Sequence, residues 1–168
     1  IVLIAFVVVA AVFAFTMLSA GMFSTERSKE AVYAGLEEVR GSMELRGSVI
    51  AATNGVSVTS LSFTVGNVAG GAPVNVVTDT NKTLVIGYRD EDQVDTDMSW
   101  DVSFLGKNDG DTLLEEGELA EITVDLAELS SNLGTSTLFA LELKPSKGGT
   151  LVLERRTPES LDDYIDLQ

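Results

Sequence analysis

Asp95, Asp97, Ser99 and Asp101 alternate along the chain, so on a strand their side chains would share one face, opposite Met98, Trp100 and Val102. Three carboxylates on one face are a start towards the oxygen shell that a hard cation such as Ca²⁺ takes. The run does not match the calcium-loop pattern of alternating acids closed by Gly and Glu, because Gln93 and Val94 break it. A solvated face is the stronger reading of Asp95, Asp97 and Asp101, with a divalent cation as the weaker one. Asn108-Asp109-Gly110-Asp111 has the chemistry of a tight turn, Gly110 supplying a positive φ. Glu115–Glu116 and Asp162–Asp163 are carboxylate pairs of the kind that general acid–base chemistry uses, but no nucleophile with an activating base accompanies them. The chain has no Cys and no His, which removes disulfides, thiol nucleophiles, the usual structural zinc sites and His-based triads. It also has no Gly-rich phosphate loop or nucleotide fingerprint. Neither an enzymatic activity nor a cofactor is expected. Asn81-Lys82-Thr83 is the one glycan acceptor of the Asn-X-Ser/Thr type, placed where a turn ahead of a strand would expose it. A glycan on Asn81 would require export.

The elements that would carry these groups fall into two kinds of sequence. Ile1–Phe23 holds no charge, and only Thr16, Ser19 and Gly21 interrupt its apolar composition. As a helix it would reach roughly 34 Å, enough for a hydrocarbon core of about 30 Å. Each buried apolar side chain is worth about 1.5–3 kcal/mol, so this surface belongs in lipid or inside a bundle of similar helices. A cleaved signal peptide would have a basic start, a shorter apolar core and a small-residue cleavage site. From Ser24 to about Ala52 there is no proline, and Val32, Leu36, Val39, Met43 and Ile50 follow an a/d-like spacing, with Arg46 in one slot. Ser24 and Arg27 do not make a capping box, so no fresh helix start is signalled. The expectation is one continuous helix from Ile1 to about Ala52, roughly 78 Å long. Apolar all round in its first half and amphipathic in its second, it suits either a fibre core bearing a head domain or a membrane helix with a stalk.

Residues 53–168 read as all-β. Val56–Val65 alternates with a phase change near Ser60, and further strands are expected at Val74–Thr78, Thr83–Tyr88, Ser99–Leu105, Leu119–Leu126, Ser136–Lys144 and Thr150–Arg155. Turn-forming residues separate them at Gly66–Gly71, Lys107–Asp111, Ser130–Gly134 and Lys144–Gly149. The expected fold class is α+β: the N-terminal helix, 1–52, followed by a β-sandwich of immunoglobulin-like size, 53–168. A fragment starting near Thr53 is accordingly expected to fold alone. It carries seven basic and twenty-one acidic residues, −14 of the total −15. Such a domain repels nucleic-acid phosphates, so no nucleic-acid partner is expected, and it stays solvated at high ionic strength.

With these elements placed, the chain resembles the archaeal flagellins, or archaellins, relatives of the type IV pilins. The resemblance lies in IVLIAFVVVAAVFAFTMLSAG at 1–21, LEEGELAEITVDL at 114–126 and LFALELKPSKGGTLVLERRTPESLDDYIDL at 138–167, and is weak between Thr53 and Leu113. No Glu stands near position 5, where bacterial type IV pilins carry one. The resemblance implies a subunit held in the cytoplasmic membrane by its helix, cut by a prepilin-type peptidase and assembled by an ATP-driven platform. Processing would fall immediately before Ile1, or further residues would precede it. The helices would then bundle as the core of an extracellular helical filament, alone or with homologous archaellins, and the β-domains would form its wall. The filament would be the rotating propeller of swimming. The self-assembly core would run along Ile1, Ile4, Val8, Val12, Phe15, Leu18 and Met22. An adhesive type IV-like pilus subunit is the alternative within the superfamily. Outside it stand a helix-anchored surface protein that never polymerises and a Ca²⁺-dependent surface module.

Overall fold

The computed structural model describes residues 1–78 and 82–167, with the backbone alone at 37–40. Among the described residues there is a single helix, α1, spanning Val2–Arg40. Eleven strands follow: β1 Met43–Thr53, β2 Val58–Asn67, β3 Val74–Asn75, β4 Leu84–Arg89, β5 Val94–Asp95, β6 Trp100–Leu105, β7 Leu113–Leu114, β8 Leu119–Asp125, β9 Leu138–Pro145, β10 Leu151–Arg156 and β11 Tyr164–Leu167. The expected class, a long helix and then antiparallel sheets, is the one found. The chain separates into two units, Ile1–Leu36 and Glu37–Gln168.

The helix ends about a dozen residues before the expected Ala52, and Met43–Thr53 is a strand. Its burial shows why. Met43, Val49 and Ala51 are buried while Ile50, the supposed seam residue, is 45 % exposed. The alternation is hidden because a bulge shifts the register between Leu45 and Val49, with Gly47 at φ +100°. The helix stops where Gly41 crosses the 147–148 backbone. A Cβ on Gly41 would stand 2.7 Å from the Lys147 carbonyl oxygen, and one on Gly148 would collide with the Gly41 carbonyl oxygen. Two glycines make that crossing possible.

All pairings are antiparallel. One sheet runs β11-β1-β2-β8-β6, a second β10-β9-β4-β5, and β3 pairs with β7 in a two-stranded ribbon. The seven expected strands all appear, with shorter bounds in most cases. The phase change near Ser60 coincides with an irregularity in the β1–β2 ladder, where Ala52 opposes Ser60 but Thr53 opposes Val58. The core lies between the inner faces of the two larger sheets: Val49, Leu61, Phe63, Val65, Ile122 and Val124 on one side, Leu84, Ile86, Tyr88, Phe139, Leu141 and Leu143 on the other. Tyr88 and Phe139 stack there with ring centroids 6.1 Å apart.

Candidate assembly surface

The helix is long because no residue in it breaks the backbone ladder, and apolar because Ile1–Phe23 has nothing else to offer. Within its own unit none of that surface is covered. Ile4 is 70 %, Val8 56 % and Phe15 72 % exposed, and Ile1, Val12, Leu18 and Met22 are exposed as well. All seven residues expected to form the self-assembly core are therefore available to a partner. The helix is the one element among the described residues long and apolar enough to cross a membrane. Its polar side chains suit a dry environment too. Thr16 donates its hydroxyl to the Phe13 carbonyl at 2.9 Å, Thr25 to Gly21 at 2.8 Å and Ser28 to Ser24 at 2.9 Å. Hydroxyls folded back on the helix in this way need no water. At the edge of the apolar run the Arg27 guanidinium lies 5.2 Å from the centre of the Phe23 ring, a cation–π contact.

The acidic residues singled out as a weak cation candidate are not brought together. Asp95 belongs to β5 and the four-stranded sheet, Asp101 to β6 and the five-stranded sheet, because the chain changes sheets between them. The shared strand face assumed for Asp95, Asp97 and Asp101 does not exist, since residues 96–99 are not in a strand and Met98 is drawn into the core. Asp97 accepts from Lys82 Nζ at 2.5 Å, Asp95 Oδ1 from the Asp97 amide at 3.0 Å, and Asp101 Oδ1 from the Val102 amide at 2.9 Å. Among the described residues no three potential metal-binding acids converge. In the Asn108–Asp111 stretch Gly110 has φ +97° and its amide donates to Asn108 Oδ1, which is turn geometry. The glycan candidate Asn81 lies outside the described residues.

The residues of the C-terminal resemblance turn out to be fasteners of the β-domain. Buried Thr157 donates to the Gly134 carbonyl at 2.7 Å and accepts from the Thr137 amide at 2.9 Å. Arg155 Nε donates to the Leu167 carbonyl at 3.2 Å, tying β10 in one sheet to β11 in the other. Glu118 Oε2 accepts from the Glu115 amide at 3.1 Å, and Gly117 at φ +86° closes that turn ahead of β8. The sequence carried these positions only as a motif; their partners are more than ten residues away or depend on a backbone angle.

One buried polar group is held in a network. The Tyr88 hydroxyl donates to Asp90 Oδ2 at 2.8 Å, and Gln93 Nε2 donates to the same oxygen at 3.1 Å and to the Ser131 carbonyl at 2.6 Å. Burial, with the Asp90 carboxylate against it, pushes the Tyr88 phenol far above its ordinary value. Burial also works to raise the Asp90 carboxyl. The hydrogen bonds from Gln93, Tyr88 and the Asp92 and Gln93 amides outweigh it and hold Asp90 below the usual range. This network pins the 90–93 turn to the 131 loop, and it offers no nucleophile.

Known proteins place this architecture. The archaeal-type flagellin family model matches residues 1–155. A probable flagellin 1 of Archaeoglobus fulgidus is 36 % identical, over 99 % of this chain and 90 % of its own length. A probable flagellin 1 of Aeropyrum pernix is 33 % identical, over 96 % of this chain and 89 % of its own. The solved archaeal flagellum of Methanospirillum hungatei is similar with a TM-score of 0.77 and 27 % identity, covering 99 % of this chain and 94 % of that one. The crystal structure of archaeal flagellin FlaB1 from Methanocaldococcus jannaschii, 16 % identical with a TM-score of 0.64, covers 75 % of this chain and 96 % of that one and shares the fold. A helix exposed from Val2 to Leu36, a β-sandwich fastened at its C-terminal motif and these likenesses lead to one conclusion: the chain belongs to the archaeal-type flagellin family.

Proposed function

We propose that this protein is the structural subunit of an archaeal flagellum filament, polymerising through α1 and serving as the rotating propeller of swimming. The observation that carries the reading is the uncovered apolar helix in a chain that follows a solved archaeal flagellum along 99 % of its length. Burying some twenty apolar side chains, each about 1.5–3 kcal/mol, is a driving force large enough to hold a polymer after ordering costs are met. Ile1, Ile4, Val8, Val12, Phe15, Leu18 and Met22 are the residues assigned to the core, and the acidic β-domain, which resists self-association, to the outer wall. The same helix suits storage in the cytoplasmic membrane before assembly, where a prepilin-type peptidase and an ATP-driven platform would act on it. The filament is then extracellular, and the role is structural rather than catalytic. The family and the solved flagellum favour this reading over an adhesive pilus.

Filaments sheared from the native host and a deletion strain test it together. Electron microscopy with mass spectrometry is expected to find this chain in a thin filament, and the deletion strain is expected to lose swimming. Swimming unchanged in a strain without the chain refutes the propeller role. Asn81 is the proposed glycan site, supported by its Asn-X-Thr context. An unmodified mass for the Asn81 peptide in native filaments removes it.

A further inference from the structure

Just beyond its apolar run α1 carries four charges, Glu26, Arg27, Lys29 and Glu30, all exposed. Among the described residues none of them closes an ion pair. The β-domain, by contrast, closes ion pairs at Arg46–Glu44, Lys82–Asp97, Arg89–Glu142 and Lys144–Glu142. Glu26 with Lys29 and Arg27 with Glu30 have the spacing at which helical side chains meet, yet neither closes. Arg27 lies over Phe23 instead. Glu26 and Glu30, one turn apart, stack like charges, an arrangement that works against an isolated helix.

The placement of these charges around the helix is ordered. At about 100° per residue Glu26 and Glu30 form an acidic stripe roughly 40° wide. Lys29 stands about 60° to one side of it and Arg27 about 60° to the other. A collar of this kind is complementary to itself, because the acidic stripe of one helix fits a basic flank of the next. It is also continuous with the apolar surface. A groove on α1 leads from Met17 and Leu18 past Gly21, where the space of a Cβ is open, to Glu26 and Lys29.

Apolar side chains packed side by side tolerate sliding, whereas a charge desolvated beside them requires its partner at one offset. A single polar position in an apolar seam can fix register for the same reason. We propose that the collar sets the axial register between adjacent copies of this chain, the Glu26–Glu30 stripe of one helix pairing with Arg27 or Lys29 of its neighbour. The inference rests on the filament reading above.

Charge exchange in the full chain, expressed in a deletion strain of the native host with the wild type in parallel, tests it. The E26K/E30K chain has a wholly basic collar and the R27E/K29E chain a wholly acidic one. Each alone is expected to give at least tenfold fewer filaments by electron microscopy while it still accumulates in membranes. Expressed together they are expected to restore filaments that contain both chains by mass spectrometry. Either variant polymerising alone like the wild type overturns the proposal, as does failure of the pair when both chains are present in the membrane. If a reversed chain does not accumulate, E26Q/E30Q takes its place. Its filaments are expected to lose axial order, seen as weakened layer lines in power spectra, and layer lines as sharp as the wild type's overturn the proposal. A wild type that forms no filament would instead defeat the filament reading, which keeps the two failures apart.

Discussion

Cutting the chain at Thr53 is the change that best separates the sequence pattern from the fold. The cut removes β1, which lies between β11 and β2 in the five-stranded sheet. Met43 and Val49 leave the core, at about 1.5–3 kcal/mol each, and the methyl of Ala51 adds about 0.8 kcal/mol. Together the loss is about 4–7 kcal/mol, before counting the broken ladders and the β11 strand left without a neighbour. Domains of this kind have about 5–15 kcal/mol in total. A Thr53–Gln168 fragment is therefore expected to be unfolded or loosely packed, contrary to the expectation from composition. A Glu37–Gln168 fragment, the whole second unit, is expected to melt cooperatively and to sediment as a monomer. Far-UV circular dichroism with thermal and urea melts of the two fragments decides the matter. Equal midpoints and equal cooperativity for the two would refute the reasoning, since β1 would then contribute nothing.

Three further outcomes follow from single side chains. Thr157→Val keeps the volume but leaves the Gly134 carbonyl and the Thr137 amide without their hydroxyl partner, at about 1–3 kcal/mol, and is expected to lower the melting point by roughly 4–12 °C, with Thr157→Ser close to wild type. Because Asp90 is held below its ordinary value of 3.8, its contribution is complete above that pH and is lost as pH falls through the lower folded value. Melting points of wild type and Asp90→Asn are expected to converge below pH 3.8, and a constant difference down to full acid unfolding contradicts this. Val8→Asp puts an unpaired charge in the apolar surface of α1 and is expected to abolish filaments while the β-domain stays folded; normal filaments from protein recovered in the membrane fraction count against the helical core.

The parts of the fold that the sequence revealed are those governed by local period. Ile1–Phe23 could only be an apolar helix, and Phe139, Leu141 and Leu143 alternate as a half-buried strand should. β1 was hidden for a physical reason. Its bulge at Gly47 breaks the two-residue period, and the seven-residue spacing from Met43 to Ile50 then coincides with a helical seam. Gly41 was the available signal for the helix stop, but its role depends on a backbone crossing with Gly148, over a hundred residues later. β11, only Tyr164–Leu167, is too short to show a period and exists because β1 pairs with it. Asp95, Asp97 and Asp101 looked like one face because the pattern continues through the point where the chain leaves one sheet for the other. Period does not show a change of sheet. The exposed apolar helix was legible from Ile1 to Phe23, since a run of residues with no charge has the same meaning whatever stands around it.

The place of β1 also matters mechanically. It is the first strand after the helix, and its neighbours on either side, β11 and β2, run antiparallel to it. Load passing along the chain from α1 into the β-domain reaches the sheets first through the backbone of β1. Two ladders then share it, one to β11 and one to β2, as two rivet lines share the load of a strap. A propeller subunit is pulled and twisted through its attachment. In this chain the helix leads into the strand that is braced from both sides, and β11 is one of the braces.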